Sequence, residues 1–267
     1  MATEFTTVPI ISYQGQNLDF ASICQALEQI GVKAGDDICV HSSLMRLGKI
    51  LVTPKQLLDT LIAAFREVIG PQGTLIMPTF TYSYCHQQIY DVLHTPSTMG
   101  ILTEYYRQLP ECHRTIDPIF SFAVSGPNAD YYLNEKATSC FGINSVYDLL
   151  TKRNGQIVVF GEKGKGYTFV HHIEEEVPVS YRYYKTFAGT MIDAQGHKRQ
   201  TSIRYFVRHL NRRSVVYGIK VLNFLEQQGL STELPLGGGT ICAFACQPSK
   251  QALLQLMRED EQQLLMD

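Results

Sequence analysis

Residues 164–178 read "GKGYTFVHHIEEEVP": two adjacent histidines, His171 and His172, and then a run of glutamates. On a helix His171 and Glu174 are three apart and share a face. An imidazole titrates near neutrality, so such a pair can accept a proton while the carboxylate orients the ring. Metal binding is the competing chemistry. Neighbouring helical residues point about 100° apart, so the two histidines cannot both grip one ion, and no HExxH motif is present. No metal is expected. A polar first turn facing solvent is the plain alternative to the acid–base pair, and spacing alone leaves both open.

The elements around this stretch place it. "QIVVF" just before it reads as a buried strand, and Thr168 is expected to cap the following helix and so aim His171. Ligands of open α/β folds gather where strands end. Upstream, "FASICQAL" has helical spacing at Phe20, Ile23, Cys24 and Leu27, and "GDDICVHSSL" reads as a short strand stopping at His41. "TPKQLLDTLIAAFREVIG" carries a Thr53 cap, a first-turn Pro54 and a closing Gly70. "GTLIMPTF" is a further strand. "MGILTEYYRQL" reads as a helix, "SFAVSG" as a strand, and "SVYDLLTKRNG" as a helix capped by Ser145. The chain closes with a glycine turn and strand in "GGGTICAFACQP" and an amphipathic helix in "SKQALLQLMREDEQQLL". Alternating helices and strands predict an α/β/α layer fold around a central, mostly parallel or mixed sheet. With no internal repeat or linker, residues 1–267 are expected to form a single domain.

Other chemistries find little support. "FGEKGKGYT" is neither GxGxxG after a first strand nor a P-loop, and "LGGGT" precedes a strand rather than a helix. The seven cysteines form no CxxC pair, which suits reduced thiols, and Cys24, Cys39 and Cys242 lie in apolar runs that pack in a core. The first residues lack a signal-peptide pattern and no apolar run reaches membrane-span length, so a cytoplasmic location is expected. The net charge of −2 is uneven: Thr151 to Arg213 carries +7 and the remainder −9. A basic stretch beside the histidines suits an anionic ligand. A nucleic-acid module has no supporting motif.

The ordered blocks "VHSSLMRLG", "GTLIMPTFTY", "MGILTEYYR", "VVFGEKGKGYTFVHHIEE" and "VPVSYRYYK" resemble the aminoglycoside 3-N-acetyltransferase family over roughly residues 20–250. The resemblance implies an α/β/α fold and transfer of an acyl group from acyl-coenzyme A to an amine on a sugar. The family's Thr-x-x-His-x-x-Glu block falls on Thr168, His171 and Glu174, which implies that His171 and Glu174 are catalytic. Its His-Ser-Ser falls on His41, Ser42 and Ser43, which with Leu44 and Thr79 are implied to hold coenzyme A. A His-Pro-x-His-Ser stretch usual in the family is "DPIFS" here, with Asp117 and Phe120 replacing both histidines.

In this chemistry an ammonium must lose a proton before it attacks a thioester, so His171 serves as general base. Glu174 orients it, and a backbone N–H or the Ser43 hydroxyl meets the oxyanion. The basic stretch favours a nucleotide-linked amino sugar over an aminoglycoside. Lys163, Lys165 and Lys185 would take the pyrophosphate, and Tyr181, Tyr183 or Tyr184 would stack on the base. The alternatives are an aminoglycoside 3-N-acetyltransferase and a catalytically silent protein that binds coenzyme A or a partner. A homodimer is also expected to be within reach.

Overall fold

The computed structural model describes residues 8–134, 136–164 and 168–267. The chain opens with strands β1 (Ile11–Tyr13) and β2 (Gln16–Leu18), helix α1 (Phe20–Gln29) and strand β3 (Asp37–Ser42). Asp19 and Ser22 form a capping box at the start of α1, a signal not used in reading the sequence. Next come β4 (Lys49–Ile50), α2 (Pro54–Ile69) and β5 (Thr74–Pro78). Helix α2 is bounded as expected, by a Thr53 cap, Pro54, and Gly70 at φ 63°.

Strand β6 (Tyr90–Asp91), helix α3 (Ile101–Arg107), strands β7 (His113–Arg114) and β8 (Phe122–Ser125), and helices α4 (Ala129–Leu133) and α5 (Val146–Lys152) follow. Ser145 accepts from Asp148 N and caps α5. Strand β9 (Gln156–Phe160) leads into α6 (Val170–Glu176). Then come β10 (Arg182–Ile192), β11 (Lys198–Arg208), α7 (Gly218–Gln227), β12 (Ser231–Leu236), β13 (Gly239–Ala245) and α8 (Cys246–Glu259).

Seven strands form the central sheet in the order β12-β13-β9-β3-β5-β8-β7. Only β9, β3 and β5 run parallel; the outer pairings are antiparallel. The sheet is therefore mixed rather than mostly parallel. The parallel strands are buried on both faces, which is why their sequences are continuous apolar runs. Their side chains alternate between two cores. Ile38, Val40, Val158 and Phe160 pack with α1, α2 and α3, while Cys39, Ile157 and Val159 pack with α5, α6 and α8. Two helical layers on one sheet give the expected α/β/α arrangement.

Strands β10 and β11 form a long antiparallel hairpin outside this sheet, paired from Arg182↔Arg208 to Ile192↔Lys198, with β6 parallel along its end. Its charged, half-exposed surface gave no strand signal. The hairpin closes over the α6 side of the sheet and supplies residues to the site. No helix among the described residues is long and apolar enough to cross a membrane.

Candidate active site

Three strand ends and one short helix converge. β3 lies between β9 and β5, parallel to both, so the connections diverge there and leave a crevice at the strands' C-terminal ends. His41, Ser42, Ser43 and Leu44 stand at that end of β3, and α6 begins at Val170, ten residues after β9 ends at Phe160. Ser43 N donates to Phe160 O at 2.8 Å, and its hydroxyl donates to Glu162 at 3.2 Å. Gly161, at φ 102°, permits this close approach, since a Cβ there would collide with the Ser43 carbonyl. Leu44 opens a short 3₁₀ turn and is half-buried.

Thr168 does not cap α6; Phe169 occupies the cap position without a side-chain bond. The Thr168 hydroxyl instead lies 2.7 Å from the Tyr147 hydroxyl, which is 3.0 Å from His41 Nε2. Buried Tyr147 thus ties the end of β3 to the start of α6. It lies within the segment read as a helix capped by Ser145, and no sequence spacing links it to either partner.

His171 and Glu174 form the expected pair. Nδ1 of the half-buried His171 is 2.5 Å from Oε2 of the fully buried Glu174. Arg182, the first residue of β10, completes the group. Its Nε is 2.8 Å from the same carboxylate oxygen, its Nη2 is 3.0 Å from His171 Nδ1, and its Nη1 donates to Phe206 O at 2.9 Å. The sequence counted Arg182 only toward a basic patch, because its partners come from another element.

Burial pushes the Glu174 carboxyl up, but His171 and Arg182 outweigh it and hold the group below its usual range. Burial and the Arg182 charge push the His171 imidazole down against the pull of Glu174. The ring is therefore neutral near pH 7. With an ionised carboxylate at Nδ1, the proton sits on Nδ1 and Nε2 keeps its lone pair. A neutral, oriented imidazole of this kind can accept a proton.

Aromatic rings support the pair from below. Phe141 lies 5.4 Å from His171, centroid to centroid, and Phe120 lies 4.5 Å from Phe141. Phe120 also packs against Phe80, Tyr82 and Tyr205. Asp117 accepts from the Ile119 and Phe120 amides at 2.7 and 2.9 Å, shaping the turn that aims this ring. Phe120 and Asp117 thus build an apolar bed with a buried capping carboxylate.

The remaining expected contacts are scattered. Thr79 is fully buried, its hydroxyl set between Ser121 at 3.2 Å and Arg114 at 3.1 Å. Lys163 is paired with Glu233 at 3.0 Å and Glu226 at 3.2 Å, and Lys165 lies outside the described residues. Tyr181 is buried; burial and then Glu174 push its hydroxyl up. Exposed Tyr183 packs on His209 at 4.7 Å, and the Lys185 ammonium stands over Phe187 at 4.8 Å.

The basic stretch seen in the sequence is correspondingly not a basic surface at the site. Lys152 pairs with Asp148, Arg153 with Asp37, Arg182 with Glu174 and Arg213 with Asp267. Arg204 stacks over Tyr184 at 4.6 Å. Acids outside the stretch thus hold Lys152, Arg153, Lys163 and Arg213, so Lys163, one of the expected pyrophosphate contacts, is already engaged by carboxylates. All seven cysteines are free. Cys39 and Cys242 are buried, and burial pushes the Cys242 thiol to about 12. Among the described residues, no group of His, Cys, Asp and Glu is placed to hold a metal ion.

Comparison with known proteins places these residues in context. The family model for aminoglycoside 3-N-acetyltransferases matches residues 39–258. Aminoglycoside N(3)-acetyltransferase IV of Salmonella sp is 27% identical over 168 residues, covering 60% of this chain and 60% of that enzyme. The alignment thus spans well under two thirds of that relative's length. In fold, the chain resembles an AAC-IIIb structure described as binary with CoASH, with a TM-score of 0.76 at 19% identity, covering 90% of this chain and 96% of the other. It also resembles AAC-VIa bound to sisomicin, with a TM-score of 0.75 at 19% identity and coverages of 90% and 97%.

Proposed function

We propose that this chain, which belongs to the aminoglycoside 3-N-acetyltransferase family, moves an acyl group from acyl-coenzyme A to an amino group of an aminoglycoside. The observation that carries the reading is the His171–Glu174 pair, 2.5 Å apart and backed by Arg182. His171 Nε2 takes the proton from the acceptor's ammonium. The freed nitrogen attacks the thioester carbonyl, and the C–N bond forms. The tetrahedral intermediate collapses with cleavage of the C–S bond. The departing thiolate recovers a proton from the imidazolium, and the cationic nitrogen formed by the attack releases its extra proton to water, leaving amide, thiol, neutral histidine and one proton in solution. Glu174 stabilises the transient imidazolium, as the acid does in other oriented histidine pairs.

His41, Ser42, Ser43 and Leu44 are the proposed coenzyme A contacts, from their place at the C-terminal end of β3. The Ser43 hydroxyl, which donates to Glu162 in this structure, would turn to the developing oxyanion. An aminoglycoside, rather than a nucleotide-linked amino sugar, fits the engagement of Lys163, an expected pyrophosphate contact, by Glu226 and Glu233. It also fits the relatives: one named for that substrate and one solved with sisomicin.

The test is thiol release from acetyl-coenzyme A with aminoglycosides bearing a free 3-amino group, beside nucleotide-linked amino sugars in the same buffer. The aminoglycosides should have the higher kcat/KM, and His171→Asn should abolish most of it. A nucleotide sugar favoured tenfold or more would overturn the acceptor assignment.

A further inference from the structure

Helix α6 repeats its His/Glu spacing one residue on, with His172 and Glu175. Neither is a specified position of the Thr-x-x-His-x-x-Glu block, His172 being one of its variable positions and Glu175 following it. They line a cleft of about 320 Å³ with Ser139, Gly142, Tyr184 and Arg204, flanked by Asp148 and Glu176. His172 is 3% exposed and Glu175 8%. Yet His172 Nε2 and Glu175 Oε2 are buried with no hydrogen-bond partner among the described residues. Buried polar atoms are seldom left so.

The geometry fixes what each atom wants. His172 Nδ1 is 2.7 Å from the Phe141 carbonyl, so Nδ1 carries the proton and donates. Nε2 is then an acceptor, and burial, helped by Lys250, keeps the ring neutral. Glu175 Oε1 accepts from the Ser139 hydroxyl and from Tyr184 at 3.1 Å, leaving Oε2 as a second acceptor. Two unsatisfied acceptors on residues that line one cleft suit a ligand with several N–H donors. With Asp148 and Glu176 paired to Lys152 and Lys250, Glu175 and Arg204 are the remaining charges of the lining, so the unsatisfied acceptors rather than net charge favour a donor. Gly142 keeps the carboxylate in place, because a Cβ there would meet Glu175 Oε1 at 2.5 Å and collide with Ser139.

We infer that this cleft binds a protonated primary amine, held between His172 Nε2 and Glu175 Oε2. Such an ammonium comes either from a second amino group of the acceptor or from a separate small amine. The first source rests on the proposed acyl-transfer reading; the binding site itself does not.

The experiment titrates ¹⁵N-histidine-labelled protein with 2-deoxystreptamine and, separately, with 1,4-diaminobutane, following the imidazole nitrogens by NMR. The His172 Nε2 resonance should move and saturate, and Glu175→Gln should weaken binding at least tenfold while circular dichroism confirms its fold. An unmoved His172 resonance, or equal affinity in a folded Glu175→Gln variant, would overturn the proposal. Saturation by either probe supports the site; preference for the diamino ring assigns it to the acceptor and preference for the linear diamine to a separate ligand. Because binding is read without turnover, acyl transfer without movement of His172 sinks only this inference. Movement without acyl transfer sinks only the proposed reaction.

Discussion

Helix α6 carries two His/Glu pairs at the same spacing, and tertiary structure makes different things of them. His171 and Glu174 close on each other at 2.5 Å, with Arg182 locking the carboxylate. His172 and Glu175 are instead each anchored through one atom to the backbone or hydroxyls of residues 139–141 and Tyr184, each leaving one acceptor unsatisfied. Both glutamates keep one carboxylate oxygen without a hydrogen-bond partner among the described residues, but only His171 is bound to its own glutamate, whereas His172 is bound to a backbone carbonyl and leaves Nε2 as an unsatisfied acceptor. The difference comes from the partner presented by the hairpin. Arg182 supplies a cation to the first carboxylate, whereas Tyr184 supplies a neutral hydroxyl to the second.

The largest effect should separate the histidines. His171→Ala should lower kcat/KM for acyl transfer by about 10²–10⁴, the usual cost of a lost general base. The same change at His172 should cost less than about tenfold and fall mainly on KM, as loss of a binding contact does. Equal losses in steady-state assays would erase the distinction between the two faces.

Stability should separate the carboxylates. Arg182→Met strands a buried charge on Glu174 and should destabilise by about 3–5 kcal/mol, partly recovered when Glu174→Gln is added. Glu175→Gln retains an acceptor for Ser139 and Tyr184 and should cost under about 1 kcal/mol. Denaturant midpoints for the four proteins decide this, and an Arg182→Met variant as stable as the parent would refute the locking role.

Next comes pH. Both histidines are held below the usual 6.5 in the folded protein, so the unfolded chain binds more protons. Their contribution to stability is fully present above 6.5 and is lost as pH falls through the window between 6.5 and the folded values. Glu174, held below the ordinary 4.5, works in a lower window: its contribution is present above 4.5 and lost as pH falls through its folded value. The acid limb of kcat/KM should likewise lie below 6.5, and Arg182→Gln, by removing a positive charge, should move it upward. A limb that stays in place would show that Arg182 does not tune His171.

The smallest effect concerns how the active face is aimed. Thr168→Val cuts the bond to Tyr147 and should cost about 1 kcal/mol, measurable by thermal unfolding, with a modest drop in kcat. Loss greater than that of Arg182→Met would make the Tyr147 link, rather than Arg182, the main support of the pair.

Much of the layer fold was legible because it follows local rules. The Thr53 cap, Pro54 and Gly70 bound α2 as read, and the apolar runs of β3, β5 and β9 became the buried parallel centre. The β10–β11 hairpin was missed because its residues are charged and half-exposed and lack a clean alternation. Thr168 was misplaced as a cap because a nearby hydroxyl, Tyr147, competes for it from another helix.

What the sequence determined by itself was the periodic part: which segments form helices and buried strands, and that His171 and Glu174 share a face. Those follow from interactions within a few residues. Only the tertiary structure decided which charges are free and which polar atoms are satisfied. Arg182 meets Glu174, and Lys163 meets Glu226 and Glu233, across elements whose approach no local spacing encodes. Several cations of the basic stretch, Lys152, Arg153, Lys163, Arg182 and Arg213, are therefore held in ion pairs in the fold, because Coulomb energy depends on distance through space and not along the backbone.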